Sequence, residues 1–137
     1  MKIAWIGIGV MGESMAGHLL DAGYELFVYN RTVSKTDGLV KRGATLLKEV
    51  KDAPLNADVI FSMVGYPKDV EEVYLGENGL IKTAKEGQVF VDMTTSSPTL
   101  AKKISEEFAK VGAAALDLPV TGGDIGAKNG TLSIMAG

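Results

Sequence analysis

Short apolar runs rich in Val, Ile and Phe alternate along the chain with longer stretches of helical periodicity. That alternation predicts an α/β fold in which a doubly wound, mainly parallel sheet is covered by helices on both faces. Ile3 to Gly7 reads as the first buried strand. Met11 to Ala22 reads as a helix that turns Met15, Leu19 and Leu20 to the sheet and is capped by Gly23. Glu25 to Asn30 is the second strand, followed by a helix over Val33 to Arg42, a short strand at Ala44 to Leu46 and a weaker helix closing at Pro54. Asp58 to Val64 is the fourth strand, Lys68 to Leu75 a helix, Gly76 to Gly79 a turn and Val89 to Asp92 the fifth strand. The next helix is the best marked. Ser97 stands as its cap, Pro98 at its first position, and Leu100, Ile104, Phe108 and Val111 along one apolar face that Gly112 ends. Ala113 to Leu118 is the sixth strand. After Pro119 come Gly122, Gly123, Gly126 and Gly130, then a last strand over Thr131 to Ala136.

With 137 residues, 46% of them hydrophobic, the chain has enough material for one core, so residues 1–137 are expected to form one domain. Its 14 basic and 17 acidic residues are mixed along the sequence and give a net charge of -3. This leaves no basic field for nucleic acid and no polybasic patch for a membrane. Glu13, His18 and Asp21 interrupt the apolar start well before the roughly 18 uninterrupted residues a spanning helix needs. The absence of cysteine excludes disulfides and thiolate metal sites, and a lone histidine disfavours zinc. A soluble protein of the reducing cytoplasm is expected. The sequence stops at Gly137 directly after an apolar run, without polar fraying, so a fragment of a longer enzyme is expected.

Gly7-Ile8-Gly9-Val10-Met11-Gly12 matches G-x-G-x-x-G, a pattern that is weak alone and strong between an opening strand and a helix. Gly7 serves the tight turn, Gly9 lets the backbone approach a pyrophosphate, and Gly12 lets helix and strand pack closely. The helix N-terminus then offers free N–H groups and partial positive charge to the anion. A Rossmann-type dinucleotide-binding domain is the expectation.

The NAD form of this fold carries Asp or Glu about 20 residues on, at the end of the second strand, where it holds the ribose hydroxyls. Asn30 stands there instead. An amide does not repel a 2′-phosphate, Arg31 offers a planar charged fork to phosphate oxygens, and Thr32 adds a hydroxyl. Asn30-Arg31-Thr32 therefore reads as an NADP pocket, with Lys35 a further candidate contact and NAD the alternative cofactor.

In these motifs, in Val91-Asp92-Met93-Thr94-Thr95, and in Asp117-Leu118-Pro119-Val120-Thr121-Gly122-Gly123 continued by Gly126-Ala127 and Gly130-Thr131-Leu132, the chain resembles the β-hydroxyacid dehydrogenases. That family includes 3-hydroxyisobutyrate dehydrogenase, tartronate semialdehyde reductase and glyoxylate/succinic semialdehyde reductase. The resemblance covers essentially the whole chain. It implies that Val64, Gly65 and Thr95 lie against the cofactor, at carboxyl ends of strands where ligands of open sheets bind. It also implies that Thr121, Gly122 and Gly123 receive the carboxylate of a small hydroxy acid or semialdehyde, as consecutive N–H groups in a glycine turn can. Two positions depart from the family pattern: Gly65 stands where proline is usual, and Thr121 where serine is general.

The resemblance further implies hydride transfer at nicotinamide C4, with the proton handled by a lysine beyond the point where the sequence stops. No catalytic residue is assigned here. Lys102, Lys103 and Lys110 are expected on the solvent side of their helix, Lys128 follows the glycine turn, and His18 lies away from the nicotinamide end. Asp92 and Asp117 end adjacent strands, where ordinary hydrogen bonding accounts for them. The chain alone is expected to be nearly inactive, and the longer enzyme a homo-oligomer. Rival readings are a non-catalytic NADP(H) sensor and an S-adenosylmethionine-dependent methyltransferase, the latter disfavoured by Asn30 in place of an acid.

Overall fold

The computed structural model describes residues 2–64, 67–93, 98–117, 120–121 and 133–134. In chain order the elements are β1 (Lys2–Ile6), α1 (Val10–Asp21), β2 (Glu25–Tyr29), α2 (Asp37–Lys41), β3 (Thr45–Leu46), α3 (Ala53–Asn56) and β4 (Val59–Ser62). There follow α4 (Pro67–Leu75), β5 (Val89–Asp92), α5 (Pro98–Ala109), β6 (Ala114–Asp117), β7 (Val120–Thr121) and β8 (Ser133–Ile134). Strands β3-β2-β1-β4-β5-β6 form one sheet in that order, and all of its pairings are parallel. This is the doubly wound order in which the direction of winding reverses between β1 and β4. β7 and β8 pair antiparallel in a separate ribbon.

The strands read as near-continuous apolar runs because both faces of the sheet are covered. Side chains alternate across a strand, so in β1 Ile3 and Trp5 join one buried cluster while Ala4 and Ile6 join the other. The first cluster packs under α1 and α2 through Ala16 and Leu39, with Met15, Leu19 and Leu20 half-buried beside it as their spacing predicts. The second lies beneath α4 and α5 and is built on Val70, Tyr74, Phe90, Leu100, Ile104 and Phe108. Phe90 and Phe108 meet edge to face at 4.7 Å, the geometry that ring quadrupoles favour.

Several expected boundaries shift for identifiable reasons. Val111 is 38% exposed and belongs to no apolar face, because α5 has already ended. The amides of Gly112 and Ala113 turn back to the carbonyls of Ala109 and Phe108 and close the helix with glycine at φ +80°. Gly23 ends α1 the same way, bonding to Leu20 O while Tyr24 bonds to Leu19 O. Pro54 opens α3 instead of closing a helix, because a proline lacks only an N–H that the first turn leaves unpaired. The helix expected over Val33 to Arg42 divides into a 3-10 turn at Val33–Thr36 and the short α2. The Gly76 to Gly79 turn leads into a further 3-10 turn, Leu80–Lys82. The outer strands are shorter than expected at their ends, and of the last strand only Ser133–Ile134 is described; the Ser97 cap lies outside the described residues.

Candidate functional site

The carboxyl ends of β1, β2 and β4 converge at the point where winding reverses, and a cleft of about 1030 Å³ opens there. Its floor is the turn from β1 to α1. Gly7 adopts φ +97° and donates its N–H to Tyr29 O at 2.9 Å. A Cβ on Gly7 would overlap the Met63 carbonyl just past the end of β4, and one on Gly12 would overlap the Gly7 carbonyl and lie 3.1 Å from Trp5 Nε1. Gly9 is different. Among the described residues, apart from its chain neighbours, a Cβ there would meet nothing within 4 Å, which leaves space for a ligand.

Gly9 is also the N-cap of α1 and offers no capping side chain; the first helical bond runs from Glu13 N to Gly9 O. The N–H groups ahead of that bond have no intrahelical acceptor and carry the positive end of the helix dipole. A bare helix start beneath an open glycine fits a pyrophosphate, so the residues present suit a dinucleotide.

Trp5 supports the floor from below. Its buried indole donates from Nε1 to Gly7 O at 3.1 Å and stacks on Phe61 with ring centres 5.3 Å apart. Asn30 braces it from the side: Oδ1 accepts the Ile8 N–H at 2.9 Å while Nδ2 donates to Thr32 O at 2.9 Å. Both polar ends of this amide are thereby engaged by the chain, a bracing role that the sequence did not show.

Among the expected cofactor residues, Gly7, Ile8, Gly9, Gly12, Asn30, Arg31, Thr32, Lys35 and Val64 all line the cleft. The side chains of Val10 and Met11, and all of Gly65, Thr95, Gly122 and Gly123, lie outside the described residues; Thr121 is described only as part of β7. Exposed His18, on the last turn of α1, does not line the cleft. Lys102, Lys103 and Lys110 are exposed as expected.

Sequence reasoning missed the opposite wall. Asp69, Glu72 and Val73 of α4, with Lys48 and Glu49 after β3, also line the cleft. Arg31 Nη2 lies 3.6 Å from Asp69 Oδ1 and 3.8 Å from Glu72 Oε2, across the opening. The spacing of Asp69, Glu72 and Val73 marks one helical face, but nothing in the sequence says what that face looks upon.

Behind the cleft a buried polar chain joins α4, β4 and β5. Tyr74 Oη is 2.7 Å from Ser62 Oγ, which donates to Asp92 Oδ1 at 3.1 Å. With its proton committed to Asp92, Ser62 must accept from Tyr74. Burial, reinforced by the charge of Asp92, pushes the Tyr74 hydroxyl far above its ordinary range and keeps it a donor. Asp92 and Asp117 are register partners on β5 and β6. Among the described residues no cluster of His, Cys, Asp and Glu can hold a metal, and no helix is long and apolar enough to cross a membrane.

The family described as the NAD binding domain of 6-phosphogluconate dehydrogenase matches residues 2–137. The chain is 56% identical over 135 residues to "Uncharacterized oxidoreductase YkwC" of Bacillus subtilis, covering 98% of this chain and 47% of that protein. It is 48% identical to "Probable 3-hydroxyisobutyrate dehydrogenase-like 1, mitochondrial" of Arabidopsis thaliana, covering 99% of this chain and 41% of that protein. Among solved structures, "Psf3 in complex with NADP+ and 2-OPP" superposes with a TM-score of 0.92 at 30% identity, covering 98% of this chain and 48% of that one. The chain thus spans about half the length of the proteins it matches.

Proposed function

Because this chain belongs to the family of NAD binding domains of 6-phosphogluconate dehydrogenase, we propose that it is the NADP(H)-binding half of an oxidoreductase acting on a small β-hydroxy acid or its semialdehyde or keto form. The observation that carries this is the open space over Gly9 at the bare start of α1, with Gly7 and Gly12 closed by the chain itself. Packing explains two of the three glycines. Over the third, open space among the described residues supports a ligand.

The dinucleotide, when bound, supplies a hydride donor or acceptor at nicotinamide C4. The chain's part is to hold and orient it. The N–H groups at the start of α1 take the pyrophosphate, while Arg31 and Thr32, on the cleft wall beyond β2, take the 2′-phosphate of the adenosine ribose. Asn30 fixes the loop between the two subsites and adds no negative charge to repel that phosphate. NADP in the similar Psf3 structure is consistent with this preference. The names of the similar dehydrogenases support a hydroxy-acid substrate, which Thr121, Gly122 and Gly123 are proposed to receive. The side chain that moves the substrate proton is proposed to lie beyond residue 137, and a reducing compartment such as the cytoplasm is proposed for the protein.

The test is a parallel titration with NADPH and NADH, read through energy transfer from Trp5, the single tryptophan, which sits directly beneath the loop. Tighter binding of NADPH is expected. Equal or tighter NADH binding would overturn the NADP assignment, and binding of neither would remove the dinucleotide function.

A further inference from the structure

Arg31 reaches the cleft from the end of β2 and meets α4 on the far side. Its two ion pairs, to Asp69 and Glu72, both use Nη2. Among the described residues Nε and Nη1 make no ion pair or hydrogen bond to the chain, so Arg31, which lines the cleft, keeps donors to spare. The carboxylates stand three residues apart on α4 and therefore share one helical face.

Exposure decides how the two sides of this contact behave. The side chain of Arg31 is 76% exposed and that of Glu72 74%, whereas Asp69 is only 16% exposed. An ion pair with so exposed a cation breaks at little cost, and the orientation it gives the guanidinium is worth correspondingly little. Asp69, only 16% exposed on α4, is much more confined to the wall of the cleft than the guanidinium it faces, and Glu72 extends beside it. Glu77 and Glu49 line the same cleft and add to their field, while Lys35 and Lys48, on the same lining, offset part of it; Asp69 and Glu72 are the carboxylates that lie within 4 Å of Arg31. A phosphate dianion brought to Arg31 therefore comes close to two carboxylates whose repulsion works against it, while the exposed ion pair offers little orienting gain in return.

We propose that Asp69 and Glu72 set the dinucleotide selectivity of the site: they compete for the Arg31 guanidinium and face the adenosine 2′-position with negative charge, holding down the preference for a 2′-phosphorylated dinucleotide. This rests on the assignment of Arg31 to the 2′-phosphate. A dinucleotide without that phosphate brings a neutral hydroxyl to the position, which can donate to a carboxylate or to the amide oxygen that replaces it, so it responds much less to loss of the charge.

The experiment titrates the unaltered chain and the Glu72→Gln, Asp69→Asn and Arg31→Ala variants with NADPH and with NADH, at low and at raised salt. Glu72→Gln should tighten NADPH about threefold to tenfold and change NADH by less than about twofold, with added salt shrinking the difference. Asp69→Asn should act in the same direction and more strongly, since its carboxylate is the less screened; if that variant unfolds, the exposed Glu72 still decides the matter. An unchanged or weakened NADPH affinity in Glu72→Gln, or an equal gain for both dinucleotides, would overturn the proposal. Arg31→Ala separates the two levels. If it loses NADPH selectively while Glu72→Gln changes nothing, only the competition falls; if it binds both dinucleotides as the unaltered chain does, the assignment of Arg31 falls and this inference with it.

Discussion

The side-chain oxygen of Asn30 accepts the backbone N–H of Ile8 at 2.9 Å, tying the end of β2 to the middle of the glycine loop across 22 residues of sequence. The position proposed to discriminate between dinucleotides is thus also one that braces the glycine loop. Asn30→Asp keeps an acceptor for Ile8 but loses the donor to Thr32 O and brings a carboxylate to the ribose. It should shift the ratio of NADPH to NADH affinity toward NADH by about tenfold. Asn30→Ala leaves both backbone groups without their partner and should lower stability by about 1–2 kcal/mol in urea unfolding, weakening both dinucleotides together.

Gly9 and Gly12 should separate binding from folding. Gly9→Ala adds a methyl group where the described residues offer no neighbour, at φ -94°, so the unfolding free energy should hold within about 0.5 kcal/mol while dinucleotide affinity falls by about tenfold or more. Gly12→Ala drives a methyl group into the Gly7 carbonyl and toward Trp5 Nε1. It should cost about 1–3 kcal/mol of stability and shift Trp5 emission even without ligand.

The Tyr74–Ser62–Asp92 chain predicts an ordered pair of losses. Tyr74→Phe removes one hydrogen bond and leaves Ser62 still donating to Asp92, a loss of about 1–2 kcal/mol. Ser62→Ala removes two hydrogen bonds, the one it accepts from Tyr74 and the one it donates to Asp92, and should cost more, about 2–3 kcal/mol. Urea unfolding of the two variants side by side checks the order, and an equal loss would show that Ser62 does not link the two.

Asp117 should make stability depend on pH in the direction opposite to a salt-bridged carboxylate. Burial raises its carboxyl above the ordinary range, and among the described residues its Oδ1 has no hydrogen-bond partner. A carboxyl that holds its proton more tightly in the folded chain favours folding below its unfolded value, and that contribution is lost as pH rises through the folded value. Asp117→Asn should therefore be the more stable form at neutral pH, and the gap should close on acidification, measured by thermal unfolding across the carboxylate range.

Much of this protein was legible in one dimension. Apolar runs alternating with helical periodicity specify strands buried on both faces, because local side-chain direction follows from backbone period alone. The glycine spacing after β1 marked the loop for the same reason: a left-handed turn at Gly7 and a close approach at Gly12 are demands of the local backbone. Caps were legible where they act within a turn, as at Gly23 and Gly112. What the sequence left open were relations between distant segments. That Asn30 grips Ile8, that Arg31 looks across at Asp69 and Glu72, and that Tyr74 reaches Asp92 through Ser62 all depend on which helix face the sheet order sets opposite which strand end. Residue spacing says which side chains share a face, and only packing the elements against one another decides what that face meets.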